Sequence, residues 1–162
     1  MIFVTVGHSM PFDRMVRLVD AWAGKTGRTD LFAQIGDADY EPANFPSTRF
    51  LTPAEYERHL IECDAIIAHA GTGTILQALY LGKPMLALTR LASLGEATSD
   101  HQLGTARYFA EQGQIMVATE NEEFSRALGT FEFFQPRSLT GKEASPQLID
   151  RIRRFLIDEE RT

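Results

Sequence analysis

The sequence predicts an α/β fold with a mainly parallel sheet of about six strands. Short β-branched and apolar runs alternate with longer segments in which apolar residues recur every three or four positions, which is typical of consecutive β-α-β units. No internal repeat or low-complexity tract divides the chain. Because it has 162 residues, of which 44% are hydrophobic, we expect a single domain, residues 1–162, with a substantial core.

The strands are predicted from short apolar runs that end at turn residues. They are expected at Ile2–Val6, Leu31–Ile35, briefly near Phe50, and at Ala65–Ala68, Pro84–Leu88 and Ile115–Ala118. The region between the second and third strands, residues 36–47, is dense in Gly, Asp, Pro and Asn and predicts a loop.

Spacing and capping residues indicate the helices. Met15, Leu18, Val19 and Trp22 form one apolar face of a helix that should end near Gly24. Two further helices are predicted to begin at capping boxes, at Thr52-Pro53-Ala54-Glu55 and at Thr119–Glu122. Others are predicted from residue 74 or so to Gly82 and from about Asp100 to Gln112. A terminal helix is predicted to begin at Ser145-Pro146 and to continue through Ile149, Ile152, Phe155 and Leu156.

Residues 129–144 give no clear pattern. This stretch contains Phe131, Phe133 and Phe134, which are more apolar than a solvated loop requires. They either cap the core or face a partner.

The charge balance and the single cysteine exclude several classes of protein. The chain carries 16 Lys and Arg against 22 Asp and Glu, and it has no long basic run, so nucleic acid is not an expected partner. Cys63 alone makes neither a disulfide framework nor a thiolate metal site, which fits a reducing compartment.

No secretion signal or membrane span is expected. The N-terminus has no basic region and only a short apolar run. Residues 65–82 carry no formal charge, but His69 and the Gly- and Thr-containing stretch 71–74 interrupt them, which indicates strand, turn and helix. We therefore expect a soluble, cytoplasmic protein.

A glycine-rich loop follows the fourth predicted strand. Its sequence is His69-Ala70-Gly71-Thr72-Gly73-Thr74, and it leads into a helix. Glycines let a ligand approach the backbone, threonine hydroxyls can donate, and a helix N-terminus favours phosphate. The alternative is that the glycines only permit a tight turn. The loop is not a P-loop and is a poor dinucleotide fingerprint, because Leu76 occupies the third Gly position.

Two other loops carry polar groups at the same predicted edge of the sheet. In the first, Gly7 and Ser9 can donate to a diphosphate, and His8 is either an acid/base, a second donor or an ordinary surface residue. In the second, Glu96, Asp100, His101 and Gln102 precede and open a helix and suit sugar hydroxyls, although Asp100 could simply serve the helix N-terminus.

Metal-dependent and serine hydrolase chemistry are disfavoured. His69 and His101 with Glu96 or Asp100 lack any close ligand spacing, and the nucleophile motif Gly-x-Ser-x-Gly is absent. We expect no metal site and no cofactor.

The string from His69 to Pro84, together with Asp100-His101-Gln102, resembles the C-terminal domain of glycosyltransferase family 28. The opening Val4-Thr5-Val6-Gly7, with Pro11-Phe12-Asp13, resembles the free-standing versions of that domain: the catalytic subunit that adds the second N-acetylglucosamine to a dolichol-linked sugar, and bacterial exopolysaccharide glucuronosyl- or galactosyltransferase subunits. The resemblance covers most of residues 1–128. It implies a Rossmann-like three-layer domain, the C-terminal half of a GT-B glycosyltransferase.

The resemblance also implies a set of residues that bind the nucleotide sugar. The diphosphate would lie on both glycine-containing loops, and Gln102 would contact the donor sugar. Gln77 would contact the ribose, at a position where the family's peptidoglycan N-acetylglucosaminyltransferase, which makes lipid II, has Glu. The full expected set is Gly7, His8, Ser9, His69, Ala70, Gly71, Thr72, Gly73, Thr74, Gln77, Glu96, Asp100, His101 and Gln102. The bacterial subunits commonly have His after this Glu, where the chain has Ala97.

The activity implied by the resemblance is inverting transfer of a sugar from a UDP-sugar to a lipid-linked acceptor in polysaccharide or glycan synthesis. The chain matches only the donor-binding half, so we expect a membrane-anchored partner subunit that binds the acceptor and supplies the general base, and a peripheral position at the membrane. No residue of this chain is assigned a catalytic role, although His8 is a candidate.

Two other functions stay open at this stage. The departures at Gln77 and Ala97 are compatible with a non-catalytic nucleotide-sugar-binding regulator or scaffold. An enzyme related to nucleotide-sugar epimerases, which would use its own carboxylates, is the remaining alternative.

Overall fold

The computed structural model describes residues 1–137 and 146–159, which contain one six-stranded sheet. The strands are β1 (Ile2–Thr5), β2 (Leu31–Gln34), β3 (Ser47–Thr48), β4 (Ala65–His69), β5 (Met85–Leu88) and β6 (Met116–Ala118). All adjacent pairs are parallel, in the order β3-β2-β1-β4-β5-β6. The predicted α/β class and six-stranded parallel sheet are confirmed.

The described residues form six α-helices, and all but the last pack on the two faces of the sheet. They are α1 (Asp13–Thr26), α2 (Pro53–Glu62), α3 (Thr72–Tyr80), α4 (His101–Glu111), α5 (Asn121–Ala127) and α6 (Pro146–Glu159). The buried face of α1 and Phe124 of α5 form one core with Val4 and Ile67, and α2, α3 and α4 form the other core on the opposite face. This three-layer arrangement explains why the central strands are apolar along most of their length.

Helix α1 is longer than the spacing predicted. It ends at Thr26, where Gly27 adopts a left-handed conformation (φ 69°), and not near Gly24. Gly24 has a different role, since a Cβ there would lie 2.9 Å from Nδ2 of Asn44. The buried carboxylate of Asp20 accepts hydrogen bonds from Tyr40, Ala43 and Asn44, so this glycine lets the loop that follows β2 close against α1.

The first predicted capping box forms and the second does not. Thr52 and Glu55 cap α2 reciprocally, as expected. At α5 the N-cap residue is Glu120 without a side-chain cap. The Thr119 hydroxyl instead bonds that of Thr89, 3.2 Å away, because the strand β6 places these two residues side by side at the end of the sheet.

Other boundaries differ from the sequence predictions by a few residues. The brief strand predicted near Phe50 is β3, two residues earlier. A short 3-10 helix at Phe131–Phe133 places Phe131 in the core and leaves Phe133 82% exposed. Ser145 and residues 138–144 lie outside the described residues, whereas the helix predicted after them is present as α6.

A membrane span needs a helix that is both long and apolar. No helix in residues 1–137 or 146–159 meets both conditions.

Candidate functional site

The strand order places the candidate loops together at one edge of the sheet. The order reverses between β1 and β4, so the loops after these two strands flank a crevice, which is where parallel α/β sheets bind ligands. A pocket of about 320 Å³ opens there. Its wall includes Ser9, His69, Arg90, Glu96, Thr98 and Gln102.

Helix α3 begins at this crevice without a side-chain cap. Its N-cap residue is Gly71, which has extended backbone and no side chain to accept a hydrogen bond from the first turn. Thr72 and Gly73 in that turn are exposed. The first N–H groups of the helix, at the positive end of its dipole, are therefore left without a side-chain cap at the edge of the sheet where the pocket lies.

The imidazole of His69 fills the space between the two glycine-containing loops. A Cβ on Gly71 would lie 2.2 Å from its Nε2, and a Cβ on Gly7 would lie 2.6 Å from its Cε1. Gly7 also has a positive φ of 78°, which disfavours any other residue. These glycines are therefore required by the close approach of the imidazole, whether or not a ligand is present.

His69 is held neutral. Burial lowers its pKa to about 4, the charge of Arg90 lowers it further, and the nearby Thr5 backbone opposes only part of the shift. Its Nδ1 and the Oε1 of Gln102 are buried and make no hydrogen bond of ordinary geometry among the described residues. Both atoms belong to side chains that line the pocket.

Arg90 is the main functional candidate that sequence reasoning missed. Its guanidinium is buried, with the residue 4% exposed, and donates to the carbonyls of Val6, Met10, Pro11 and Glu96 at 2.7–3.0 Å. Burial lowers its pKa and Glu96 opposes this effect. One feature of the sequence could have identified it: an arginine stands two residues after a wholly apolar strand, at the edge of the sheet where ligands bind.

Glu96 lines the pocket but its carboxylate is already paired. Arg14 holds it with two hydrogen bonds, of 2.7 and 2.8 Å, and the backbone N–H of Leu91 donates to it at 3.0 Å. Both oxygens are thus bonded within the protein. The carboxylate has little capacity left for a sugar hydroxyl group, and the role in sugar binding expected for Glu96 stays a prediction.

His8 and Ser9 form the exposed tip of the loop after β1. Ser9 lines the pocket. The His8 ring instead stacks on Phe50, with 6.2 Å between ring centroids and 22° between planes. The tip thus reaches from the pocket to the segment that precedes α2.

Of the expected site residues, the pocket wall contains Ser9, His69, Glu96 and Gln102, and the others lie away from it or at its rim. Ala70 is buried in the core, and the Thr74 hydroxyl is buried 3.4 Å from the Tyr56 hydroxyl. Gln77 is exposed and lines a separate apolar groove between α2 and α3. Asp100 accepts from the Ala92 N–H at 2.9 Å and so holds the preceding 3-10 turn. The side chain of His101 lies outside the described part of the chain.

The described residues contain no group of three or more His, Cys, Asp or Glu side chains that could hold a metal ion. Among the described residues that line the pocket, the cationic group is the guanidinium of Arg90.

Comparison with known proteins assigns the family. The model of the glycosyltransferase family 28 C-terminal domain matches residues 1–129. The chain belongs to this family. A human protein named UDP-N-acetylglucosamine transferase subunit ALG13 is 30% identical over 128 residues, which are 73% of this chain and 11% of the human protein. The family 28 domain described here thus spans about a tenth of the length of the curated relatives it matches.

Solved structures share the fold of this family 28 domain. The solution structure of ALG13 superposes with a TM-score of 0.58 at 18% identity and covers 93% of each chain. The crystal structure of Acinetobacter baumannii MurG gives a TM-score of 0.60 at 17% identity, over 82% of this chain and 42% of that one. At these identities the likeness concerns the fold, and the predicted resemblance to free-standing family 28 domains is confirmed.

The neutral state of His69 predicts acid sensitivity of the fold. The unfolded chain binds a proton at this residue near pH 6.5, whereas the folded chain does so only near pH 4. The contribution of neutral His69 to the free energy of unfolding is therefore complete above about pH 6.5. It is lost as the pH falls to 4, which lowers that free energy by about 3 kcal/mol. Urea unfolding of the wild type and of His69→Gln across this range measures it. An equal loss in both proteins would contradict the assignment.

The Arg14–Glu96 pair predicts a large effect of Glu96→Gln on stability. Both side chains are about 90% buried, and removing the negative charge that neutralises Arg14 should cost about 3 kcal/mol. The matched control is Asp30→Asn, which breaks a similar two-bond pair with Arg28 that is 47% exposed on the Asp side, and should cost at most about 1 kcal/mol. Similar losses in the two variants by chemical denaturation would show that the pair is not the buried anchor described here.

Proposed function

We propose that this chain is the UDP-sugar-binding subunit of an inverting glycosyltransferase of the GT-B type. In this proposal it transfers a sugar to a lipid-linked acceptor together with a membrane-associated subunit that binds the acceptor. The observation that carries the proposal is the uncapped N-terminus of α3, which begins at Gly71 beside the pocket at the crevice of the sheet.

Several features of the pocket support a diphosphate ligand. The N–H groups of the first turn of α3 favour an anion, and Arg90 adds a buried positive charge on the other side of the crevice. The Arg14 and Glu96 charges neutralise one another, so they do not cancel that of Arg90. The negative charge that develops on the leaving UDP would be stabilised by these groups without a metal ion.

The donor class is proposed from the family and its named relatives. The human relative is named a UDP-N-acetylglucosamine transferase subunit, which favours a uridine diphosphate carrier. In the pocket, Gln102 presents an amide oxygen without a partner among the described residues, Thr98 adds an exposed hydroxyl, and both suit sugar hydroxyl groups. Which hexose is transferred depends on such contacts.

In the reaction proposed, the acceptor hydroxyl oxygen bonds to C1 of the donor sugar while the bond from C1 to the β-phosphate oxygen breaks. UDP leaves with the electron pair, and the hydroxyl proton passes to a base. We assign that base to the partner subunit, because the human relative is named as a subunit and because Glu96 is already paired. Polysaccharide or glycan synthesis is the setting in which such a lipid-linked acceptor would be used.

Calorimetry with UDP, UMP and ADP tests the donor site. UDP should bind at least about tenfold more tightly than ADP, since a site that hydrogen-bonds one base leaves groups unpaired with another. Transfer of labelled sugar from a UDP-sugar to a lipid-linked acceptor should then need a second, membrane-associated chain. Equal affinity for ADP and UDP would contradict the donor assignment, and transfer by the isolated chain to a soluble acceptor would contradict the two-subunit assignment.

Two neighbouring glycines should respond differently to substitution by alanine. Gly71→Ala places a Cβ 2.2 Å from the His69 ring and should cost about 1–3 kcal/mol in stability. Gly73 has no atom within 4 Å of such a Cβ, so Gly73→Ala should keep or raise helix stability, by up to about 1 kcal/mol. The added methyl group should nevertheless weaken UDP binding, because it occupies the face that the diphosphate approaches.

Gly104→Ala is the matched control for these variants. Gly104 also lies in a helix, is exposed on α4, and has no atom within 4 Å of the position that an alanine Cβ would take. The variant should gain stability like Gly73→Ala and keep the affinity for UDP. Thermal denaturation and calorimetry on the three variants separate the two effects, and unchanged UDP affinity in Gly73→Ala would remove α3 from the proposed site.

A further inference from the structure

Four backbone carbonyls converge on one buried side chain beneath the pocket. Nη2 of Arg90 donates to Val6 at 2.8 Å and to Met10 at 2.7 Å, and Nη1 donates to Pro11 at 2.7 Å and to Glu96 at 3.0 Å. Three of these carbonyls belong to the loop after β1, at its beginning and at its end. The fourth belongs to the loop after β5, so a single guanidinium joins two loops of the crevice.

A second contact fixes the peptide at the start of the same loop. The buried Gln34 amide donates to the Gly7 carbonyl at 3.3 Å and is itself held by the Thr5 hydroxyl at 2.7 Å. The described peptide bonds include no cis bond, so the N–H of His8 points opposite to the Gly7 carbonyl. The loop thus turns carbonyl oxygens toward the protein and directs an N–H group of its tip away from Gln34.

We infer that Arg90 is a positioning residue for diphosphate binding: by holding the carbonyls of the loop after β1 inward, it shapes that loop as an anion-binding surface facing the N-terminus of α3. The inference rests on the proposed function, because it concerns how the same pocket holds the diphosphate. Carbonyl oxygens facing a diphosphate would repel it, whereas carbonyls bonded to a guanidinium do not.

The geometry of the Arg90 guanidinium distinguishes a role in positioning the loop from a role as a positive charge alone. The two terminal nitrogens each bond two carbonyls, and the guanidinium centre lies 4.5 Å from the centroid of the Phe12 ring, which is buried. A lysine ammonium has three donors on one nitrogen and cannot reproduce this planar arrangement. Arg90→Lys therefore keeps the charge and loses the arrangement, and Arg90→Met loses both.

Lys83 provides a matched control at the opposite end of the sheet. Its ammonium also ties two carbonyls, those of Ile61 at 2.8 Å and Cys63 at 2.6 Å, but it precedes β5 and is remote from the pocket. Lys83→Met therefore removes a comparable clamp without altering the crevice.

The experiment measures ligand affinity and backbone exchange in the wild type and these three variants. UDP binding is followed by calorimetry and uridine binding by chemical-shift titration. Arg90→Met should lose about 10- to 100-fold in affinity for UDP, because small displacements of positioning groups are costly, and should change by less than about threefold for uridine. Arg90→Lys should recover only a small part of the UDP affinity, and Lys83→Met should bind both ligands as the wild type does.

Hydrogen exchange without ligand tests the clamp itself. The amides of Val6 and Gly7 donate to the Gln34 carbonyl and the Thr5 hydroxyl, and the Gly7 N–H shares its peptide group with the Val6 carbonyl that Arg90 holds. These amides should exchange at least about tenfold faster in both Arg90 variants and at the wild-type rate in Lys83→Met, since they lose local protection. Wild-type UDP affinity in Arg90→Lys, or unchanged exchange of this loop, would overturn the inference. If Arg90→Met does not fold, Arg90→Lys and its exchange rates decide. A wild type that fails to prefer UDP over ADP would instead overturn the proposed function.

Discussion

The reversal of strand order between β1 and β4 is the constraint on which the site depends. From β1 the sheet proceeds to β2 and β3, and from β4 it proceeds to β5 and β6 in the other direction. Right-handed crossovers then place α1 on one face and α3 on the other, so the loops after β1 and β4 separate and leave a crevice. Such a crevice leaves loop carbonyls that need hydrogen-bond donors, and the guanidinium of Arg90 supplies them. The ring of His69 occupies the space between the two glycine-containing loops.

The sequence predicts most of the fold because the signals for it are local. Apolar runs and helical spacing identified every strand and α-helix among the described residues to within a few positions, and Thr52 and Glu55 formed the predicted capping box. The errors have tertiary causes. Gly24 looked like a helix end but allows the close approach of Asn44, 20 residues away, and Thr119 bonds Thr89, directly after the adjacent strand, in place of capping α5. Neither contact can be predicted from the residues that are adjacent in the sequence.

The site was predictable in its loops and not in its interior. Glycine-rich and polar segments after β1, β4 and β5 could be located from the sequence, because parallel strands bring their carboxyl ends to one edge. The pairing of Arg14 with Glu96 joins residues 82 positions apart, and the bond from Arg90 to Val6 joins residues 84 apart. Since such contacts depend on the completed sheet, an acidic residue beside the pocket looked available for a ligand when it was already bonded.

The state of the titratable side chains at the pocket bears on where a general base can lie. The pKa of about 4 for His69 means that this imidazole is neutral at ordinary pH, but it is enclosed between Gly7 and Gly71 and has little room to meet an acceptor. The Glu96 carboxylate is bonded through both oxygens, and the Asp100 carboxylate holds the Ala92 N–H.

A proton acceptor must reach the reacting hydroxyl directly or through one water molecule. His8 is exposed on the rim, and its ring stacks on Phe50 away from the pocket wall. These contacts support the proposed assignment of the general base to a partner subunit.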